Sequence, residues 1–456
     1  MATENTEIKV PKRILNTLIT SLSAGVVPRI GAPYIAIGRE EELSSLLDNL
    51  DDVADGGAAC RFLIGRYGSG KSFLIQLIRG RALERGFICA DADLSPERRL
   101  SGGNGAGLAT YRELMINMAS KASPDGGALP TILSRHYAKL QFELAEQGIL
   151  PDSDLYETEL KKKVIMMLEE LEADVGGFDF ARVLGAYYTA MMNDDIEKKS
   201  ACLRWLRGEF SNKTEASSAL GFRVSTVIDD DNWYGFIKLF ASLSVKLGYL
   251  GFVVFIDECV NLYKIPNRIS REANYEKLLA IFNDTLQGKA KNLGVVFGGT
   301  PQFLEDTRRG LFSYDALKSR LQDSKYAASL GYQNLSSPVI RLRTLSVAEL
   351  LALVKRLTNL YAMRDGAEPL VTDSEIEEFV AMARSRAGAD EMMTPREIIR
   401  DYLSFLNVLR DNKNVKFSSL MKSASFKYED DQREENESTF TPSEQNRRVD
   451  LFDIDI

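Results

Sequence analysis

The sequence predicts an α/β fold with a central parallel sheet, a large helical insertion and a helical C-terminal region. Three observations carry this. A short apolar strand, Cys60 to Ile64, runs into a glycine loop and then an amphipathic helix, Phe73 to Leu83. A five-residue apolar run, Phe252 to Ile256, closes on two acids. Between them, residues 111–246 carry helical periodicity, as in Leu155 to Leu171, Phe180 to Met192 and Phe236 to Leu247. An unbroken apolar run suits a strand covered on both faces of a parallel sheet. Strands separated by helical stretches imply crossover connections.

The order of elements divides the chain. Residues 1–30 form an N-terminal helical segment with a helix over Arg13 to Leu22. Residues 31–344 form the α/β core, interrupted by the insertion at about 111–246. Residues 345–422 hold three helices, Val347 to Met363, Asp373 to Arg386 and Pro395 to Leu409, as a lid. The acidic tail, 423–456, is too polar to bury a core and is expected to be disordered. It holds ten acids between Glu429 and Asp455 against Arg433, Arg447 and Arg448, and ends in the alternating Leu451-Phe452-Asp453-Ile454-Asp455-Ile456. That tip has the pattern of a short docking strand.

Composition narrows the chemistry. At 456 residues the chain exceeds one ordinary domain, and 45% apolar residues supply an ample core. A net charge of −8 excludes a protein coated in basic surface, though a local basic patch could still contact DNA. Cys60, Cys89, Cys202 and Cys259 show neither paired nor metal-ligand spacing, which fits reduced packing residues of a cytoplasmic protein. His136 stands alone, so zinc chemistry and a histidine triad have no residues to build them. The polar start, Met1 to Arg13, lacks the apolar core of a signal peptide, and no apolar run approaches bilayer length. No membrane role is expected.

The glycine loop, Gly65-Arg66-Tyr67-Gly68-Ser69-Gly70-Lys71-Ser72, spells G-x-x-x-x-G-K-S, a phosphate-binding loop. Glycines let backbone N–H groups close around phosphates, and the helix N-terminus adds partial positive charge. Gly65, Tyr67, Gly68, Ser69, Gly70, Lys71 and Ser72 are therefore candidate nucleotide-binding residues. Lys71 would reach the β- and γ-phosphates of ATP, and the Ser72 hydroxyl would ligate Mg²⁺. Upstream, Ile37-Gly38-Arg39-Glu40-Glu41-Glu42-Leu43 places Gly38 and Arg39 where such folds cover the adenine; any helix with acids in its first turn has the same pattern. Asp257, at the end of the Phe252 run, would hold Mg²⁺ through water, and Glu258 would orient the attacking water. Thr300, after the buried Leu293 to Gly298 strand, would bond the γ-phosphate or cap the helix that Pro301 begins. Arg320, with Arg308 and Arg309 as rivals, is a candidate finger toward a neighbouring subunit, or a surface ion pair. Arg396, in the first turn after Thr394-Pro395, would point back at the γ-phosphate from the lid, or into solvent.

Other signals are weaker. Leu100-Ser101-Gly102-Gly103 spells the start of an ABC-type signature, but lies about 150 residues too early for that family and is rejected. The glycine-rich Ser101 to Gly107 stretch is expected to be mobile. Arg204-Trp205-Leu206-Arg207 could stack a base, but a tryptophan anchoring helices is the favoured reading.

Taken in order, these features follow the AAA+ plan: a P-loop strand and helix, an insertion between the Walker A and Walker B motifs, a polar strand end, a downstream arginine and a helical lid. The chain also resembles, over nearly its whole length, the ATP-binding proteins of BREX-type bacterial phage-defence systems. The resemblance rests on stretches such as Ile64 to Leu74, Asp91 to Leu100, Asp257 to Ile265, Thr300 to Leu321 and Thr394 to Tyr402. It implies an AAA+-like ATPase, using ATP and Mg²⁺, that works with other subunits of a defence system. A finger in trans would make it an oligomer or hetero-oligomer. Two functions stay open: a switch or motor acting on partner proteins and DNA, or a slow-turnover nucleotide-dependent scaffold.

Overall fold

The computed structural model describes residues 10–421, apart from 170, 172–175, 324–333 and 387–393. The acidic tail and its apolar tip lie outside the described residues. The chain divides into two compact units. Among the described residues, one comprises those of Val26–Ser346 with Thr394–Arg396; the other groups those up to Gly25, from Val347 to Arg386 and from Glu397 to Met421.

The first unit is built on five parallel strands: β1 (Ala58–Ile64), β2 (Ile88–Asp93), β3 (Phe252–Asp257), β4 (Leu293–Gly299) and β5 (Val339–Arg341), in the order β2-β3-β4-β1-β5. Side chains alternate between the two faces. Phe62, Ile64, Val254, Ile256, Val295 and Phe297 enter one core, which continues into the insertion. Leu63, Val253, Phe255 and Val296 enter the other, packed with α2 (Glu40–Ala54) and α3 (Lys71–Arg85). Both faces being covered is why these strands are apolar without alternation. Because all five run parallel, their carboxyl ends share one edge. Ile64 pairs with Gly299, and Asp93 with Asp257.

Seven helices among the described residues lie between β2 and β3, from α4 (Ala106–Ile116) to α10 (Trp233–Lys246). The Ser101 to Gly107 stretch is not a loose loop. Asn274 accepts from the N–H groups of Leu100 and Ser101, both at 2.9 Å, and donates to the Ser101 carbonyl at 2.8 Å. Asp230 accepts from Gly105 and Leu108 N–H, each at 2.8 Å, and Trp233 Nε1 donates to the Leu100 carbonyl at 3.0 Å. Composition alone implied mobility; partners 120 or more residues away in sequence remove it. Trp205 is a packing residue, 1% exposed, with its indole N–H donated to Thr226. His136, on α5 (Leu129–Glu146), meets the Tyr188 hydroxyl at 2.8 Å, and burial pushes it down to about 4, so it stays neutral. All four cysteines are buried and unpaired.

The second unit combines α1 (Lys12–Ser23) with helices Val347–Asp365 and Asp373–Arg386 and with the Pro395–Asp411 helix from Glu397 on. The N-terminal helix thus belongs with the C-terminal ones. It buries Leu15, Leu18, Ile19 and Leu22 along one stripe. Phe379 and Tyr402 stack edge to face at 4.9 Å, and the Tyr402 hydroxyl meets Thr358 Oγ1 at 2.5 Å.

Candidate functional site at the strand ends

The site is assembled where β1, β2, β3 and β4 end. After Ile64 the chain turns through Gly65 to Gly70 and enters α3 at Lys71. Gly70 is left-handed (φ 96°), a conformation that suits glycine at this entry. A Cβ on Gly65 would meet Ser69 Oγ, so a side chain there would displace the Ser69 hydroxyl. The Arg66 carbonyl gathers two donors, Ser69 N–H at 3.2 Å and Lys71 Nζ at 3.1 Å. Ser69 Oγ is buried without a hydrogen-bond partner. Tyr67 is half exposed, its ring 5.5 Å from the Lys71 ammonium.

β3 delivers the acids. Ser72 Oγ donates to Asp257 Oδ2 at 2.6 Å, tying the start of α3 to the end of β3. Asp257 Oδ1 accepts from Glu258 N–H at 2.8 Å. Asp257 is 8% exposed and lies against the backbone of β4, where a Cβ on Gly298 would overlap its Oδ1. Glu258 takes a left-handed backbone (φ 56°), uncommon for a residue with a side chain and often associated with functional turns.

The electrostatics are crowded. Burial pulls Lys71 below the usual lysine range, partly offset by Asp257 and Glu258. Burial, then the Asp257 carboxylate, raise Glu258, against Lys71, Lys264 and Arg396. Asp93, opposite Asp257 across the sheet, is raised to about 6 by desolvation and then by Asp257, Glu258 and Asp91. Sequence reasoning did not assign Asp93 to the site; the signal available was a second strand, Ile88–Asp93, closing on carboxylates.

Thr300 follows β4, is 4% exposed, and accepts from Phe303 N–H at 3.3 Å as the cap of the short α13 (Pro301–Glu305). Its neighbour Gly299 accepts from Gly65 N–H at 3.1 Å, so the strand end adjoins the glycine loop. Arg396 groups with this unit and contributes to the field at Glu258.

The other arginines separate. Arg309 is consumed internally, its Nη2 donating to the carbonyls of Tyr263, Lys264 and Ile265 at 3.2–3.4 Å. Arg308 is exposed and gives its backbone N–H to Asp306. Arg320 is exposed on α14 (Asp315–Leu321), bonded to the Ala316 carbonyl of its own helix at 2.7 Å. Gly38 N–H donates to Glu40 at 3.3 Å, and the Arg39 guanidinium is buried against Glu42, Ser69 and Arg343.

A family model described as BREX system ATP-binding protein BrxC/D matches residues 10–425. The chain belongs to that family. The BREX match embraces both units and every residue placed at the site above. No individually curated protein matches the chain significantly. No helix among the described residues is long and apolar enough to cross a membrane.

Proposed function

We propose that this BREX-family chain is an AAA+-like P-loop ATPase that hydrolyses ATP in the cytoplasm while working on other subunits of the defence system. The observation that carries the reading is the 2.6 Å bond between Ser72 and Asp257. It brings together two residues, 185 positions apart, that separate motifs nominate for one metal. Mg²⁺ would be held by Ser72, by Asp257 through water and by nucleotide oxygens, where it neutralises phosphate charge. A site of that kind needs no dense protein cage, and no group of three or more His, Cys, Asp or Glu side chains among the described residues forms one.

The chain's own residues then divide the work. Backbone N–H groups of Gly65 to Ser72 surround the phosphates, and Lys71 leaves the Arg66 carbonyl for the β- and γ-oxygens. Glu258 orients the attacking water. Thr300 donates to the γ-phosphate or the water. Arg396 approaches the γ-phosphate, and Arg320 serves a neighbouring molecule's ATP, which makes the working form an oligomer or hetero-oligomer. Direct DNA contact would fall on Arg98 and Arg99, or on Arg204 and Arg207, which with Lys199 border a cleft of about 360 Å³; there phosphates would compete with Glu209 and Glu215, which pair with Arg204, and with Glu209 beside Arg207.

The test is a pair of measurements. Glu258→Gln should keep ATP affinity and lose turnover by a factor on the order of a hundred, as expected when a water-positioning group is removed. Parental turnover in that variant removes Glu258 from the mechanism. Absence of measurable phosphate release by the parent, with tight ATP binding retained, selects the nucleotide-dependent scaffold instead.

A further inference from the structure

Arg39 is the most deeply committed cation near the glycine loop. It is 4% exposed, and its guanidinium joins three segments far apart in sequence. Nη1 donates to Glu42 Oε1 at 3.2 Å, itself 2% exposed. Nη2 donates to the Ser69 carbonyl at 2.9 Å and to the Arg343 carbonyl, just beyond β5, at 3.0 Å. A planar fork with a fixed geometry suits this task; an ammonium would not hold the same set.

The carbonyl it grips matters. Ser69 C=O and Gly70 N–H belong to one peptide unit, and across a trans amide they point in opposite directions. No cis peptide occurs among the described residues. Holding the Ser69 oxygen toward Arg39 therefore turns the Gly70 N–H the other way, away from Arg39. Gly70 has φ 96°, so without a fixed carbonyl its peptide has the freedom to flip. Glu42 pairs with Nη1 and holds the guanidinium in place, and the Arg343 carbonyl fixes Nη2 from the β5 side.

We propose that Arg39 is a positioning residue that aims the Gly70 N–H at a phosphate of the bound nucleotide, and does not cover the adenine. The inference rests on the nucleotide-site reading above and sharpens it. Its ligand chemistry is the polyphosphate, independent of the base.

The experiment measures calorimetric affinity for inorganic tripolyphosphate and for ATP, with the melting temperature of the nucleotide-free protein alongside. The variants are Arg39→Lys and the double Arg39→Gln/Glu42→Gln, which avoids stranding a buried carboxylate. Both should lose about tenfold or more in affinity for tripolyphosphate, and lose ATP affinity by the same factor, because one charge-assisted hydrogen-bond anchor is gone. Arg39→Lys should fold as the parent does. Tripolyphosphate affinity unchanged while ATP affinity falls would return Arg39 to the base and overturn the inference. Unchanged affinity for both overturns it as well. A parent that binds ATP but no tripolyphosphate has no phosphate cradle to aim, and the inference falls with the nucleotide site left standing. A parent that binds neither rejects the nucleotide reading itself.

Discussion

Two polar regions flank the same sheet and treat their charges in opposite ways. Around the start of α4, the polar side chains mostly serve the backbone: both Asp230 oxygens accept backbone N–H groups, and Asn274 both accepts from and donates to the Leu100–Ser101 turn, with Arg99 Nε the exception, buried without a partner. At the strand ends, like charges are set side by side. Asp93 faces Asp257, Glu258 follows in the chain, Lys71 is desolvated beside them, and Ser69 Oγ has no partner. Folding gains nothing from crowding carboxylates. The first arrangement is nearly complete as a structure. The second has the form of a site that a ligand completes, which is the sense of perturbed ionisation at functional clusters.

That contrast breaks most visibly at Lys71 and Asp230. Lys71→Ala should reduce ATP affinity on the order of a hundredfold, because it removes the cation nearest the phosphates. Without nucleotide it should melt no lower than the parent, since the ammonium is held in the fold against a desolvation cost. Asp230→Ala should do the reverse. Two backbone N–H groups lose their acceptor, which costs about 2–4 kcal/mol of stability, while ATP affinity of the folded protein stays put. Denaturant titration and calorimetry on both variants decide it. Crossed effects, with Asp230→Ala losing nucleotide or Lys71→Ala losing only stability, would erase the distinction between the regions.

A smaller effect concerns whether the strand-end site is complete within one chain. Arg309 is occupied by three carbonyls, which leaves Arg320 and Arg308 as exposed arginines beyond β4 that could serve a neighbour. Arg320→Ala and Lys71→Ala proteins, each deficient alone, should recover part of their phosphate release when mixed, up to about a quarter of the parental rate for random pairing in a dimer. Full activity of Arg320→Ala alone, or parental specific activity independent of protein concentration, removes Arg320 from the site.

Legibility in the sequence followed how local the signal was. The β1 strand, loop and α3 helix were readable because one contiguous stretch contains the turn glycines and the periodicity on both sides. β3 and β4 were readable because strands buried on both faces are unbroken apolar runs. β5 was missed: Val339–Arg341 is three residues long and has too little sequence to show a period. The fixed state of the Ser101–Gly107 stretch was illegible because Asp230, Trp233 and Asn274 lie far along the chain. The same holds for Arg39. Its motif announced a helix start, but the Ser69 and Arg343 carbonyls that define its role are 30 and 304 residues away. Asp93 was visible as a strand end, and only the β2–β3 register sets it opposite Asp257.

Asp93 offers the finest test of the crowding. Its folded-state pKa is raised to about 6, by desolvation first and then by Asp257, Glu258 and Asp91. An unfolded chain restores the ordinary value, near 4. The folded protein therefore holds this proton more tightly than the unfolded one between about pH 4 and pH 6. Stability falls as pH rises through that window, and the penalty is fully present above it. Asp93→Asn removes the penalty. At pH 7, without nucleotide, the variant should melt higher by about 1–2 °C, a modest gain because the carboxylate keeps contact with solvent. At pH 4 the gap should close, since the parental Asp93 is then protonated in the fold. Equal melting of variant and parent at both pH values would mean that Asp93 is neither desolvated nor repelled by Asp257, Glu258 and Asp91, and the strand-end region would lose the feature that sets it apart from the insertion.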